Sequence, residues 1–173
     1  MMARELRALA RHVLDLCRAR GMLVATAESC TGGLVAGALT DIAGSSDVVD
    51  CGFVTYSNAA KQRLLSVSAA TLNRHGAVSA QTAAAMAKGA LKNSQADIAV
   101  AITGIAGPDG GSKEKPVGLV HFAGAARGGR VVERRRLYGN IGRGRVRERS
   151  VAEALSLLAL LARRTKARRA KLR

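Results

Sequence analysis

The chain has 173 residues, of which 48% are apolar and 2% aromatic, and these values suit one globular domain with a core of Ala, Val, Leu and Ile. No apolar stretch approaches the roughly 20 residues of a membrane span, so we expect no membrane-spanning segment. The formal net charge is +16, and residues 127–173 carry most of it, with 16 Lys/Arg against 3 Asp/Glu.

The first 44 residues predict a helix, a strand and a second helix. Leu and Val at three- and four-residue spacing in residues 3–20 predict an amphipathic helix that ends at a glycine. Residues 22–27 are apolar without a helical period and predict a buried strand. Residues 32–43 predict a helix whose polar start lies at 29–31, with another glycine at its end.

The middle of the chain continues the alternation of strands and helices. The predicted elements are a strand at 51–56, a helix at 57–67 with Ser57 or Asn58 as N-cap, a further helical turn at 68–74, an Ala-rich helix capped by Ser79, and a strand at 97–103. The last strand is apolar almost throughout, which indicates burial on both faces.

The C-terminal part predicts a hairpin and a long helix. Two strands, at 117–123 and 130–138, are joined by a short glycine-containing segment, and an amphipathic helix follows over about 144–163. We therefore predict an α/β protein with a three-layer α/β/α sandwich and a mixed, mostly parallel sheet with one antiparallel neighbour. Residues 1–165 are expected to form one domain and residues 166–173 a basic tail.

Three glycine-rich or polar segments follow predicted strands. They are ESCTGG at 28–33, YSNAAK at 56–61 and TGIAGPDGG at 103–111. In open α/β sheets the binding site lies beyond the carboxyl ends of the strands, so we expect these three segments to meet at one edge.

The first of these segments offers a candidate nucleophile. Ser29 lies where the chain turns from strand to helix, and free backbone N–H groups of the first helical turn could hold an oxyanion formed by its attack. The alternative is that Ser29 or Thr31 simply caps the helix. Cys30 is a rival nucleophile, although a buried small apolar role is the more usual one for such a cysteine.

The second segment offers a candidate base. Lys61 follows Tyr56 by five residues on a strand-to-helix corner, and a lysine acts as a base only when desolvation or a nearby positive charge lowers its pKa. Tyr56 could relay or orient the proton. The alternative is that Lys61 is an ordinary solvated surface residue.

The third segment and a later arginine run could bind an anion. The glycines near Thr103 expose backbone N–H groups, although the segment lacks the Gly-Lys-Ser/Thr ending of a triphosphate-binding loop. Arg143, Arg145 and Arg147 precede or begin the last helix, and one of them could reach a phosphate.

Cysteine and histidine usage points to a reduced compartment without metal. Three cysteines cannot form a closed disulfide framework, no Cys-x-x-Cys pair is present, and the three histidines are scattered. We therefore predict no metal, no cofactor and a cytoplasmic location.

Together, ESCTGG, VTYSNAAK, TGIAGPDGG and KPVGLV resemble the CinA C-terminal domain family, which includes stand-alone nicotinamide-nucleotide amidohydrolases. The resemblance extends over residues 5–162. It implies a three-layer α/β/α fold, a homodimer, and deamidation of nicotinamide mononucleotide to nicotinate mononucleotide and ammonia. It also implies Ser29 as nucleophile, Lys61 as base and a catalytic Tyr56.

We predict that further residues of these segments bind the nucleotide substrate. They are Glu28, Thr31, Gly32, Gly33, Thr103, Gly104, Gly107 and Arg143. One departure concerns the family pattern Gly-Asp-Arg-x-x-Val-Arg, because this chain has Gly142 at the Asp position. If that Asp orients the arginine, weaker phosphate binding is expected here.

Two non-catalytic functions remain as alternatives. The basic C-terminal quarter could bind nucleic acid, although single-strand binders usually add aromatic stacking residues, and this chain has two Tyr and two Phe. A phosphorylated-ligand-binding domain with an inactive site is the other alternative.

Overall fold

The computed structural model describes residues 2–165. The helices are α1 (Met2–Arg18), α2 (Leu34–Thr40), α3 (Asn58–Leu65), α4 (Ala69–His75), α5 (Ala80–Lys92) and α6 (Arg143–Arg164). The strands are β1 (Val24–Glu28), β2 (Val49–Val54), β3 (Ile98–Gly104), β4 (Leu119–Ala126) and β5 (Val132–Leu137). The predicted basic tail at 166–173 lies outside the described residues.

The five strands form one mixed sheet in the order β2-β1-β3-β4-β5. Strand β1 pairs in parallel with both β2 and β3, whereas β4 is antiparallel to β3 and to β5. Four strands therefore run in one direction and only β4 is reversed, which confirms the predicted mixed sheet and its hairpin.

Helices cover both faces of the sheet and create two separate cores. One core joins α1, α2 and α6 to one face, with residues such as Leu14, Phe122 and Leu155. The other joins α4 and α5 to the opposite face, with residues such as Ala27 and Met86. Because both faces are covered, every residue of β1 is buried, and the predicted three-layer sandwich is confirmed.

Helix α2 begins later than the sequence predicts. Gly32 and Gly33 have positive φ angles of 60° and 95°, a left-handed conformation that side-chain-bearing residues rarely adopt. These two glycines prevent the helix from extending back to residues 29–31, and Gly33 becomes its N-cap without a side-chain hydrogen bond. The nucleophile candidate therefore lies in a turn of its own.

None of the helices within residues 2–165 is both long enough and apolar enough to cross a membrane.

Candidate active site

The three polar strand ends meet around one cleft of about 270 Å³. The cleft is lined by Ser29, Cys30, Tyr56, Lys61, Ala77, Val78, Thr103, Gly104, Ile105, Ala106, Gly107, Asp109, Gly110 and Arg143. The carboxyl ends of the parallel strands β1, β2 and β3 point to this edge, so the chain turns after them converge there.

Ser29 and Lys61 are brought together although 32 residues separate them. The Lys61 Nζ lies 3.1 Å from the Ser29 Oγ, within hydrogen-bond distance. Ser29 is held directly after β1 because its backbone N–H donates to the Ile102 carbonyl of β3. Lys61 is held by α3, whose N-terminus is capped by the Ser57 side chain. This pair has the geometry of a nucleophile and its base.

Lys61 is not a solvated surface lysine, because its side chain is only 1% exposed. Its amine also donates to the backbone carbonyls of Thr55, at 2.7 Å, and of Tyr56, at 3.5 Å. Burial removes water from the ammonium form and thereby lowers the pKa of Lys61 from its usual value. A lowered pKa makes the neutral amine, which can accept a proton, available nearer to neutral pH.

The Glu28 side chain, which the sequence predicts to contact substrate, is instead buried and bonded to the start of α2. It is 0% exposed, and its carboxylate accepts hydrogen bonds from the backbone N–H groups of Gly33, Val35 and Ala36 and from the Thr26 hydroxyl. A carboxylate at a helix N-terminus satisfies free N–H groups and is favoured by the helix dipole.

The same contacts show that the start of α2 is not the oxyanion site that the sequence predicts. The N–H groups at the start of α2 already donate to Glu28 inside the protein, so they do not point into the cleft. The carboxylate acts as the cap that neither Ser29 nor Thr31 provides, and it fixes the turn between β1 and α2.

We expect Glu28→Gln to lower the free energy of unfolding by about 2–3 kcal/mol, because an amide cannot replace a carboxylate that accepts several N–H bonds. Chemical denaturation measures this loss. Glu5→Gln, on the exposed surface of α1, is the matched control and should change stability little. Equal stability of Glu28→Gln and the unmodified protein would contradict the capping role.

The remaining residues of the first turn also build the turn rather than the cleft. Thr31 is buried, its carbonyl accepts from Arg147 Nη2 at 3.0 Å, and neither it nor Gly32 nor Gly33 lines the cleft. Arg147, a candidate phosphate contact, therefore braces this turn from α6. The substrate contacts of Thr31, Gly32 and Gly33 therefore find no support in the cleft lining and stay predictions.

Tyr56 and Arg143 form a second pair in the cleft. The Tyr56 side chain is 61% exposed, and its hydroxyl accepts from Arg143 Nη2 at 2.9 Å. Arg143 Nη1 donates to the Gly107 carbonyl at 3.0 Å. Within the described residues, Tyr56 contacts Lys61 through its carbonyl, and its phenol contacts Arg143. The predicted catalytic role of Tyr56 stays a prediction.

These contacts orient Arg143 without the Asp of the family pattern. Gly142 is the N-cap of α6 and makes no side-chain cap, with φ at 89°. Tyr56 and Gly107 hold the guanidinium instead. Since Arg has five N–H donors, donors remain for an anion in the cleft.

Thr103, Gly104 and Gly107 line the cleft, and their predicted contact with substrate stays a prediction. The Thr103 hydroxyl donates to the Ala77 carbonyl at 2.7 Å and so ties β3 to the segment before α5. A Cβ at Gly104 would lie 2.7 Å from the Leu119 carbonyl oxygen, and one at Gly107 would lie 2.7 Å from Val117 Cγ1. Both glycines are therefore required by close packing around the cleft.

Cys30 lines the cleft but lacks the properties of a reactive thiol. It is buried, and burial raises its pKa to about 12, so the nucleophilic thiolate is scarce near neutral pH. This supports Ser29 over its rival. The described residues also contain no group of three or more His, Cys, Asp or Glu side chains placed to hold a metal ion.

Sequence reasoning missed Ala77, Val78 and Asp109 as lining residues. Asp109 lies within the glycine-rich segment and is exposed in the cleft. Ala77 and Val78 carry no chemical signal in the sequence, because only the packing of the segment before α5 against Thr103 places them there.

Comparison with known proteins identifies the family. The model of the CinA C-terminal domain matches residues 6–162. The chain belongs to the CinA C-terminal domain family. Among curated members, the nicotinamide-nucleotide amidohydrolase PncC of Escherichia coli K12 is 53% identical over 154 residues, which are 89% of this chain and 93% of that protein.

Other members of the CinA C-terminal domain family are larger or structurally characterised. A putative competence-damage inducible protein of Symbiobacterium thermophilum is 53% identical over 87% of this chain and 37% of its own length. The crystal structure of the competence/damage inducible protein CihA from Agrobacterium tumefaciens has a TM-score of 0.89 and 57% identity, covering 91% of this chain and 95% of that one.

Proposed function

We propose that this chain is a nicotinamide-nucleotide amidohydrolase that converts nicotinamide mononucleotide to nicotinate mononucleotide and ammonia in NAD salvage. The observation that carries the proposal is the 3.1 Å contact between Ser29 Oγ and the buried Lys61 amine. The relatives named PncC, at 53–55% identity, supply the substrate class.

The first half of the reaction forms an ester on Ser29. The neutral Lys61 amine takes the hydroxyl proton while the Ser29 oxygen attacks the carboxamide carbon. The resulting ammonium then gives that proton to the leaving amino group, the carbon–nitrogen bond breaks, and ammonia departs. The Thr55 carbonyl accepts from one N–H group at 2.7 Å and the Tyr56 carbonyl lies 3.5 Å from the amine, so the amine is held beside the Ser29 hydroxyl with its lone pair available for the Ser29 proton.

The second half hydrolyses the ester. Lys61, again neutral, takes a proton from a water molecule that attacks the acyl carbon, and it then returns the proton to the Ser29 oxygen as the ester bond breaks. The carboxylic acid formed loses its proton to solvent and leaves as the carboxylate of the nucleotide product. One amine thus acts as base and acid in both halves, which requires a pKa near the working pH.

The position of Arg143 in the cleft lining, with donors left over after its contacts to Tyr56 and Gly107, supports a role in binding the substrate phosphate. We expect Arg143→Ala to raise KM for nicotinamide mononucleotide about 10–100-fold, because a charge-assisted hydrogen bond to the phosphate is lost. The corresponding riboside, which lacks phosphate, should be hydrolysed about equally by both proteins. Steady-state ammonia release measures the effect.

The control for this variant is Arg145→Ala, an exposed arginine of the same helix that does not line the cleft. It should leave KM unchanged. An equal loss for nucleotide and riboside in Arg143→Ala would contradict phosphate binding and indicate a general effect on the cleft.

Ammonia release from nicotinamide mononucleotide by the purified protein tests the proposed function directly. We expect turnover without added metal or cofactor. Absence of ammonia release, with nucleotide binding retained, would favour the alternative of a phosphorylated-ligand-binding domain.

The homodimer, the cytoplasmic location and a nucleic-acid partner stay predictions. The basic C-terminal quarter, residues 127–173, motivates nucleic-acid binding, and its last part, 166–173, lies outside the described residues. Binding through phosphate contacts would weaken steeply with salt, and truncation at residue 163 should lower it.

A further inference from the structure

Thr55 has a buried hydroxyl that the proposed mechanism does not use. The side chain is 0% exposed, and its Oγ1 has no hydrogen-bond partner among the described residues. Native proteins satisfy nearly all buried hydroxyls with a protein group or an ordered water molecule. An orphaned hydroxyl of this kind beside a reactive pair therefore points to a bound water.

The strand register locates Thr55 beside Ser29. The last pair between β1 and β2 is Glu28 with Val54, and the Thr55 N–H donates to the Glu28 carbonyl at 2.8 Å. One residue further along, Thr55 is the neighbour of Ser29 across the two strands.

Alternation then decides the face of the sheet. Side chains two residues apart in a strand share a face. Ala27, two residues before Ser29, and Phe53, two residues before Thr55, both lie in or against the core formed by α5. Lys61, from α3 on this same side, reaches both positions, because its amine contacts the Ser29 hydroxyl and the Thr55 carbonyl.

The protonated Lys61 amine has two close acceptors and one distant acceptor for its three N–H groups. An ammonium has three N–H donors. The Thr55 carbonyl at 2.7 Å and the Ser29 oxygen at 3.1 Å accept two of them, whereas the Tyr56 carbonyl, at 3.5 Å, is at the limit of hydrogen bonding.

We propose that Thr55 is a positioning residue of this site: its hydroxyl holds a buried water molecule against the Lys61 amine, and that water accepts the third N–H when Lys61 carries the Ser29 proton. The inference rests on the proposed function for the roles of Ser29 and Lys61, but not for the identity of the substrate.

Other titratable or charged groups line the cleft with Lys61, and they are present in every Thr55 variant. They are the Cys30 thiol from the turn after β1, the Tyr56 phenol with the Arg143 guanidinium bound to it, and the Asp109 carboxylate from the segment after β3. Helix α5, which packs against α3, buries only uncharged residues. A shift in the titration of Lys61 that appears in Thr55→Val and is absent in Thr55→Ser is therefore assigned to the hydroxyl.

The test is Thr55→Val, which keeps the shape of the side chain and removes the hydroxyl. We measure the rate at which a small sulfonyl fluoride labels Ser29 between pH 5 and pH 10, by intact mass, with Ser29→Ala as background. The neutral amine activates Ser29, so labelling rises through the pKa of Lys61. Loss of an acceptor disfavours the ammonium and so lowers the pKa of Lys61. We therefore expect the acid limb, the pH range over which the labelling rate rises, to move down by about one pH unit.

Ammonia release should fall about tenfold in the same variant, because the ammonium formed during attack is less stabilised. Thr55→Ser, which restores the hydroxyl, should return the acid limb to its original position. Thr40→Val, on the exposed side of α2, is the matched control and should change neither measurement.

Thermal unfolding separates this proposal from a packing role. If the Thr55 hydroxyl binds no water, Thr55→Val should be more stable than the unmodified protein and its acid limb should be unchanged. This result would overturn the proposal. An equal shift in Thr55→Val and Thr55→Ser would also overturn it, since the hydroxyl would then be irrelevant.

A crystal structure of the unmodified protein tests the proposal without any variant, so a folding defect cannot affect the result. We expect a water molecule within hydrogen-bond distance of both Thr55 Oγ1 and Lys61 Nζ, and its absence at high resolution would refute the proposal. Labelling of Ser29 without any ammonia release would reject the proposed function while leaving the Thr55 test intact. No Ser29-dependent labelling would reject both.

Discussion

Ser29→Ala should abolish ammonia release from nicotinamide mononucleotide, with a fall in kcat of at least about a thousandfold. The variant loses the only hydroxyl that contacts the Lys61 amine within the described residues. Binding of the nucleotide should persist, because Arg143 and Thr103 still line the cleft. Steady-state ammonia release gives kcat, and calorimetric titration of the product nucleotide gives the affinity.

Cys30→Ala is the control for this experiment, because Cys30 is the neighbouring rival nucleophile. Its buried, protonated thiol makes it a packing residue, so the variant should retain turnover and lose only some stability. Full activity in Ser29→Ala together with inactivity in Cys30→Ala would reverse the assignment of the nucleophile.

Lys61→Met should lower kcat by about a hundredfold to ten-thousandfold, the usual contribution of a general acid–base group. Methionine fills a similar volume without an amine, so the cleft keeps its shape. The unmodified enzyme should gain activity as pH rises through the pKa of Lys61, which burial lowers from its usual value, and the variant should lose this limb. A pH profile of kcat/KM checks both effects.

The same group gives the protein a pH-dependent stability with a defined sign. Burial lowers the pKa of Lys61 in the folded state relative to the unfolded chain, so the unfolded chain binds more protons between the two pKa values. The free energy of unfolding should therefore rise with pH across this window, from the lowered pKa up to the usual one. Below the window the folded protein carries the full cost of burying the ammonium.

In Lys61→Met this rise should disappear, whereas Lys88→Met, on the exposed side of α5, should keep it. Urea denaturation at a series of pH values measures the slope. The same slope in all three proteins would show that Lys61 is not the group responsible.

Local sequence patterns predicted most of the fold because they report short-range physics. The helix α5 begins after Ser79, whose side chain accepts from the Thr82 N–H, and the N-cap of α3 is Ser57, one of the two residues predicted for it. The continuous apolar character of β3 indicated burial on both faces, and its side chains are buried up to Thr103. Strand ends could be placed at one edge because parallel strands share a direction.

Sequence patterns did not predict contacts made by side chains that turn away from the cleft or that join residues far apart in the chain. Glu28 looked available to a ligand, but its carboxylate turns inward to α2, and the two left-handed glycines that permit this also shorten the helix. The sequence suggested that the Tyr56 hydroxyl assists Lys61, but this hydroxyl accepts a hydrogen bond from Arg143, 87 residues away. No sequence spacing reports such contacts.

The sequence by itself determined the alternation of strands and helices, the polar and glycine-rich strand ends with a serine and a lysine among them, and a later arginine run, because periodicity and turn chemistry are local. Only the tertiary structure decided that the Lys61 amine is buried 3.1 Å from Ser29, that Glu28 closes α2, and that Tyr56 holds Arg143. The positions of Lys61 and Arg143 depend on the packing of α3 against α5 and of α6 against the sheet. Burial, which sets the protonation of an amine, is a property of that packing.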